Sequence, residues 1–353
     1  MNVRPTILFC TGTLNGGGIG VAARNLMNAL ARRGYNVSAV LGEVPAPSRQ
    51  PADTVAVHLY TATQTIAAIP FFVRLIKARK PDVIYTAHEH VYMPVMLALW
   101  LSGRRRETRI VHWVHTHLPS EFAHAGLKKK LALRLFRRFI RLADAVIAPS
   151  DGTVWDDMTA PQVIPNIVHA SPLNSPNTLR ACTIVTAGRL VPQKNMALLV
   201  QAFAELPADA VDKLLILGDG PERDTLLLQV SALGLSDRVN FLGQVDDVSP
   251  YLGNACAVVV SSDWEGFGMV AAEALSLGTP VISTDCPVGP AEMFAIAAGG
   301  FLVPRGNAEA LAHMMRHVLE TRPKVDASAY RRAYSEDVIA PQHEALISAL
   351  LGQ

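Results

Sequence analysis

Residues 257–274 read AVVVSSDWEGFGMVAAEA. They give a β-favouring run, a turn holding Gly266 and Gly268, and an Ala-rich stretch suited to a helix. A strand ending near Ser261, a glycine turn and a helix make up part of a crossover unit, and such units build parallel sheets. The two glycines free the backbone N–H groups of Phe267, Gly268, Met269 and Val270 to meet an anion at the helix N-terminus. Glu265 lies in the turn and Glu273 about one and a half turns inside the helix. Both carboxylates can therefore accept hydrogen bonds from the hydroxyls of one ligand. Read alone, a surface turn with a solvated glutamate fits as well.

The same alternation extends in both directions. Strands are expected at 183–187, 214–217, 238–242, 257–261 and 280–283 in the second half. In the first half they are expected at 6–10, 36–41, 55–59, 82–86, 109–114 and 145–148, with helices near 19–33, 64–79 and 91–101. The chain of 353 residues exceeds one ordinary hydrophobic core. The fold class is therefore α/β, with two Rossmann-like, doubly wound parallel-sheet domains, 1–168 and 178–334. The polar run 166–180, NIVHASPLNSPNTLR, reads as the linker. A last helix near 341–350 can pack on either domain, and segment 335–353 could complete the first. Ligands of such sheets bind at the carboxyl ends of the strands, so the site is expected in the interdomain cleft.

Composition narrows the function. Half the residues are hydrophobic and 18% are charged, which excludes disorder. Pro, Arg or Lys interrupts every candidate membrane span, and the N-terminus reads as no export leader. Cys10, Cys182, Cys256 and Cys286 form no Cys-x-x-Cys pair and read as reduced thiols of a cytoplasmic protein. Residues 1–168 carry 20 Lys and Arg against 10 Asp and Glu, a balance of +10, and the remainder carries 12 against 20, or −8. The two halves thus face different partners.

At the end of the strand at 183–187, Gly188-Arg189-Leu-Val-Pro-Gln-Lys194-Asn195 sets two cations where a leaving diphosphate would need neutralising. A guanidinium fork and an ammonium point charge can replace a divalent metal there, and the chain contains no Asp-x-Asp. No metal and no cofactor are expected. The plain alternative is a pair of solvated basic residues on a loop.

The ordered blocks GRLVPQKN, LGDGPERDTL, VNFLG, WEGFGMVAAEAL and GTPVISTDCPVGPAE resemble the family-four retaining glycosyltransferases of GT-B fold, across nearly the whole second half. The resemblance implies a nucleotide-sugar-binding second domain, with Arg189 and Lys194 on the donor diphosphate, Glu273 on ribose hydroxyls and Glu265 on the donor sugar, and a first domain that binds the acceptor. The run DCPVGPAE is similar to a branch that builds lipopolysaccharide, capsule and lipid-linked glycans. Gly16, Gly17 and Gly18 occupy the place of the family's phosphate-side glycine loop, with Gly18-Ile19 replacing its Ala-Glu. In VIPNIVH at the domain junction, Ile167 and His169 replace the family's glycine and aspartate.

Strand alternation in VHWVHTH puts His112 on one face, and Trp113 and His115 on the other. The resemblance implies a histidine near the donor sugar; His115 is preferred, with His117 as the alternative. Three converging ligands, which zinc needs, cannot come from one strand.

The segment 127–143, LKKKLALRLFRRFIRLA, has no acid. At ~100° per residue Lys130, Arg134, Arg137, Arg138 and Arg141 share one arc, which suits an anionic membrane surface. Leu131, Leu135, Phe136, Phe139 and Ile140 lie opposite and are expected to face the core. No nucleic-acid motif accompanies the charge.

The function expected is transfer of a hexose or N-acetylhexosamine from a UDP-sugar to a glycan or lipid-linked acceptor in cell-surface polysaccharide synthesis. The enzyme would be peripheral on the inner membrane face. A GT-B nucleotide-sugar epimerase and a non-catalytic nucleotide-sugar-binding module are the alternatives. A nicotinamide oxidoreductase is weaker, because Val21 stands where its third glycine belongs.

Overall fold

The computed structural model describes residues 4–62, 64–158, 160–170, 182–207 and 210–353. The chain divides into two compact units: Met1–Ile167 together with Glu336–Gln353, and Val168–Ser335. Residues 171–180 of the expected linker lie outside the described residues.

In the first unit β1 (Thr6–Cys10), β2 (Asn36–Leu41), β3 (Ala56–Leu59), β4 (Val83–Thr86), β5 (Arg109–Trp113), β6 (Ala145–Ala148) and β7 (Gln162–Val163) form a parallel sheet. Its order is β3-β2-β1-β4-β5-β6-β7. The accompanying helices are α1 (Gly17–Arg32), α2 (Ile69–Arg79), α3 (Glu89–Leu101), α4 (Leu118–His124) and α5 (Leu127–Phe139). Successive β1 residues feed opposite cores. Ile7 and Phe9 join α1 residues Ala22, Leu26 and Leu30 on one face, and Leu8 and Cys10 join Phe72, Tyr92 and Phe136 on the other. Burial on both faces is what a continuous apolar strand in a parallel sheet requires.

The second unit repeats the plan with β8 (Thr183–Ala187), β9 (Lys213–Leu217), β10 (Val239–Gly243), β11 (Ala257–Val260), β12 (Val281–Thr284) and β13 (Gly300–Val303), ordered β10-β9-β8-β11-β12-β13. Its helices are α6 (Met196–Ala204), α7 (Arg223–Ala232), α8 (Ser249–Gly253), α9 (Met269–Leu277), α10 (Pro290–Phe294), α11 (Ala308–Thr321) and α12 (Ala327–Ala333). The chain then returns as α13 (Glu336–Leu351) to the first unit, burying Ile339, Ala340, Leu346 and Ile347 against the α1 side of its sheet. Arg33 ties α1 to α13 through Glu344 at 3.0 Å.

The expected helix at 64–79 is divided into a 3-10 turn, Thr65–Ala68, and α2. Pro70, in the first turn of α2, lacks an N–H, so the preceding turn cannot run on as α-helix. Strands β7 and β13 were not expected: the first has two residues, and the second opens on glycine with little alternation.

Two expectations are overturned. Cys182 and Cys256 are joined in a disulfide with their Cα atoms 5.7 Å apart, whereas Cys10 and Cys286 remain buried free thiols. The bonded pair stands just ahead of β8 and β11, which are sheet neighbours despite the 74 residues between the cysteines.

The apolar side of α5 is also split. Leu133, Phe136 and Ile140 are buried, while Leu127, Leu131 and Leu135 are 84%, 67% and 47% exposed, and Phe139 is exposed too. Part of the basic arc is engaged within the unit. Arg137 and Arg141 pair with Asp157, Arg137 lies 5.0 Å over the Trp155 ring, and Lys130 and Arg134 lie 5.9 and 5.7 Å over Phe122. Arg138 is exposed on the same helix.

Candidate active site

In each sheet the strand order reverses between the first and fourth strands of the unit, the switch point where doubly wound sheets bind ligands. In the second unit this lies between β8 and β11, and the loops leaving those strands are laced together. Asp263 N–H donates to Gln193 O (2.8 Å), the Gln193 amide donates to Trp264 O (2.8 Å), and the Ser261 hydroxyl donates to Lys194 O (2.9 Å). Asn195, at φ 43°, caps α6 through Leu198 N–H and donates from its amide to Asp263.

This lacing fixes the central pair. Lys194 Nζ donates to Glu265 Oε1 at 2.6 Å, and the Ser262 hydroxyl donates to the same oxygen at 2.6 Å. The Glu265 side chain is 8% exposed and that of Lys194 is 23%, so the pair is largely out of water. A buried carboxylate needs such partners. Gly188 lies beside the lysine: a Cβ there would meet Lys194 Cε at 3.5 Å, an ordinary contact. Arg189 is exposed on the same loop.

Beyond Glu265 the chain turns through Phe267 and Gly268 into α9, with Gly268 at φ 90°. The first amides of α9 have no partner within the helix, and the dipole favours an anion there. Gly289 packs under this turn: at φ 97°, a Cβ on it would lie 2.5 Å from Phe267 O. Met269 and Val270 open α9 and Glu273 stands on it, half-buried. The thiol of Cys286 is close enough to feel Glu265 and Lys194, and burial, reinforced by Glu265, pushes it up to about 12.

Gly16, Gly17 and Gly18 are exposed where β1 passes into α1; Gly16 is the cap residue and Gly17 has φ 69°. His115 lies two residues past β5, its ring 4.4 Å from that of Trp113, with Nε2 buried and unbonded. Burial, and then His88 and His112, hold it well below the ordinary imidazole value, so it is neutral near pH 7. His112 faces the other way, between Tyr92 and Phe136, with Nδ1 2.9 Å from the Thr86 hydroxyl. Burial lowers it to about 3. His117 caps α4, its Nδ1 accepting from Ser120 N–H at 3.3 Å. That gives the alternative histidine a structural task.

Thus Lys194, Glu265 and Gly188 are brought together in the second unit, which also carries Arg189 and Glu273; His115 and Gly16 to Gly18 belong to the first. The sequence reading missed Ser262 and Asn195. A polar residue immediately before an apolar helical run is an N-cap signal that marks Asn195.

Residues 176–336 match the family described as Glycosyl transferases group 1, and residues 16–170 match Glycosyltransferase Family 4. An uncharacterised glycosyltransferase of Methanocaldococcus jannaschii is 28% identical over 62% of this chain and 59% of its own length. The lipopolysaccharide core biosynthesis glycosyltransferase LpsE of Rhizobium meliloti is 37% identical over 39% of this chain and 40% of its own. The chain thus spans less than two thirds of the length of these two relatives. HepE of Anabaena, solved in complex with UDP and glucose, superposes with a TM-score of 0.79 at 22% identity, covering 98% of this chain and 100% of that one. No described helix is long and apolar enough to cross a membrane.

Proposed function

Since the chain belongs to the glycosyltransferases of GT-B type, we propose that it moves a hexose or N-acetylhexosamine from a UDP-sugar to a glycan or lipid-linked acceptor. Anomeric configuration is retained and no metal takes part. The observation that carries this reading is the Lys194–Glu265 pair at the β8/β11 switch point, at 2.6 Å, with Arg189 exposed on the same loop. An arriving diphosphate competes for Lys194 and recruits Arg189. Glu265, still held by Ser262, is then available to the donor sugar hydroxyls. HepE, of the same fold, was solved with UDP and glucose, which supports the choice of donor.

In the reaction the acceptor hydroxyl oxygen bonds to the anomeric carbon. The bond from that carbon to the β-phosphate oxygen breaks, its electron pair leaving with UDP, and the leaving phosphate takes the hydroxyl proton. Arg189, Lys194 and the amides of Phe267, Gly268, Met269 and Val270 stabilise the charge on UDP, Gly188 leaves the phosphates room, and Glu273 binds ribose. Gly16, Gly17 and Gly18 take the phosphate side and His115 the donor sugar, as the family resemblance implies. Polysaccharide synthesis at the inner face of a membrane is the setting that fits the relatives' names and the basic helix α5.

The test is UDP release from UDP-glucose and UDP-N-acetylglucosamine in excess EDTA. Arg189→Ala, which disturbs no buried group, should lower turnover ~10²-fold, and Lys194→Ala at least as much. Wild-type rates in both variants, or strict dependence on an added divalent ion, would refute the leaving-group argument.

A further inference from the structure

The turn that opens α9 is shaped by residues far from it in sequence. Helix α12 lies along α9, and three contacts fix its direction. A Cβ on Gly278, just past the end of α9, would stand 3.8 Å from Ala327 Cβ at the start of α12. One turn on, the Arg331 guanidinium donates to Ser276 O of α9 at 2.8 Å. Tyr334, the cap residue at the end of α12, then meets Phe267 ahead of α9, ring edge to ring face, at 5.2 Å and 81°. The two helices therefore run antiparallel, and the end of α12 abuts the turn that starts α9.

Helix α12 is itself held in place. Asp326 caps it, accepting from Ala329 N–H at 3.0 Å, and the Tyr330 hydroxyl donates to Ala297 O. Tyr330 is fully buried, and Tyr334 and Phe267 are 4% and 5% exposed. Gly289 closes on the same turn, since a Cβ there would lie 2.5 Å from Phe267 O. Phe267 is thus gripped at its backbone by Gly289 and at its ring by Tyr334. An edge-to-face aromatic contact fixes direction as well as distance.

Tyr334 also marks where the chain changes units. The second unit runs from Val168 to Ser335, so Val168 is its entry and Tyr334 stands one residue before its exit. Val168 N–H donates to Tyr334 O at 3.0 Å. Both crossings of the chain therefore meet at the backbone of the residue whose ring sets the α9 turn. A ligand that steadies this turn steadies that hydrogen bond, and by linkage whatever loosens Tyr334 weakens the ligand.

We propose that Tyr334 is a positioning residue for the donor diphosphate: its ring holds the turn whose amides face the leaving charge, and its carbonyl carries the occupancy of that turn to both crossings. This rests on the glycosyl-transfer reading above. Calorimetry with UDP on the full chain tests the ring. Tyr334→Phe keeps it and should bind within about 2-fold of the wild type, whereas Tyr334→Leu should bind ~10-fold more weakly. Where Tyr334→Leu fails to fold, Arg331→Gln, which unfastens α12 from α9 at a half-buried site, takes its place with an expected loss of about 3-fold. Hydrogen exchange, followed by mass spectrometry of fragments containing Val168, tests the carbonyl. Saturating UDP should slow exchange at Val168 several-fold in the wild type and in Tyr334→Phe, and leave it unchanged in Tyr334→Leu. A ring that served only the core would give no such difference. Wild-type UDP affinity in both Tyr334→Leu and Arg331→Gln, or protection of Val168 that survives loss of the ring, overturns the proposal alone. A wild type that binds no UDP overturns the donor reading, and this proposal with it.

Discussion

Glu89 opens α3 in the first unit, half-buried, and burial followed by the charge of Glu121 raises its carboxyl from 4.5 to about 7. The unfolded chain gives up this proton near 4.5 and the folded chain only near 7. Stability is therefore full below the lower value and declines as pH climbs through the window, by ~1–3 kcal/mol. Glu89→Gln should raise the urea midpoint at pH 8 and leave it nearly unchanged at pH 4.5; the same gain at both pH values would refute the assignment. Nothing in the sequence marked this residue, because its shift comes from what surrounds it. Lys194 and Glu265 were legible for the opposite reason: each stands in a quoted motif at a strand end. Their mutual bond was not, since 71 residues separate them and only the β8–β11 pairing brings them together.

At the scale of elements, most strands were readable because parallel strands are continuous Val, Ile and Leu runs; AVVV became β11 and TIVTA became β8. Periodicity identified α5 as amphipathic but could not decide which apolar residues meet protein. Leu131 and Leu135 face out because a narrow stripe of Leu133, Phe136 and Ile140 suffices to cover the sheet. The Cys182–Cys256 disulfide belongs to this scale as well, since it crosses from the start of β8 to the start of β11. A cross-link closing a loop of 74 residues removes unfolded-state entropy worth up to ~4 kcal/mol. Denatured, unreduced protein should therefore yield two free thiols by Ellman titration, from Cys10 and Cys286. Cys256→Ser should lower the thermal midpoint of the second unit, and reductant should do so in the wild type. Four titratable thiols in protein purified without reductant would contradict this.

Over the whole molecule the charge asymmetry of the sequence is moderated by α13. Its segment, 336–353, has Glu336, Asp337 and Glu344 as its charged side chains. Counted with the first unit, these take its +10 to +7, and the second unit's −8 becomes −5. They meet Arg32, Arg33 and Arg4 on or near α1, so the basic excess left over lies elsewhere, on and around α5 and along α2 with Arg74, Lys77, Arg79 and Lys80. Helix α5 presents three sides. Leu133 and Phe136 are buried. Lys130, Arg134, Arg137 and Arg141 form a flank, partly engaged with Phe122, Trp155 and Asp157. Leu127, Leu131 and Leu135 stand exposed within ~80° of one another. Trp100, on the neighbouring α3, is 57% exposed. Outward leucines beside basic residues fit an anionic lipid interface better than charge alone does: lipid contributes ~1 kcal/mol per basic residue near the surface and ~25 cal/mol for each Å² of apolar area withdrawn from water. Sedimentation with vesicles should therefore show retention on phosphatidylglycerol but not on phosphatidylcholine. Arg134→Gln with Arg138→Gln should weaken binding at low salt, and ~1 M salt, where the Debye length is ~3 Å, should release the wild type. Leu131→Gln with Leu135→Gln should cost ≥10-fold at low salt while leaving the thermal midpoint unchanged, because neither leucine touches the core. Retention that is equal on both lipids, or indifferent to the leucine pair, would reduce α5 to a crossover helix with a solvated face.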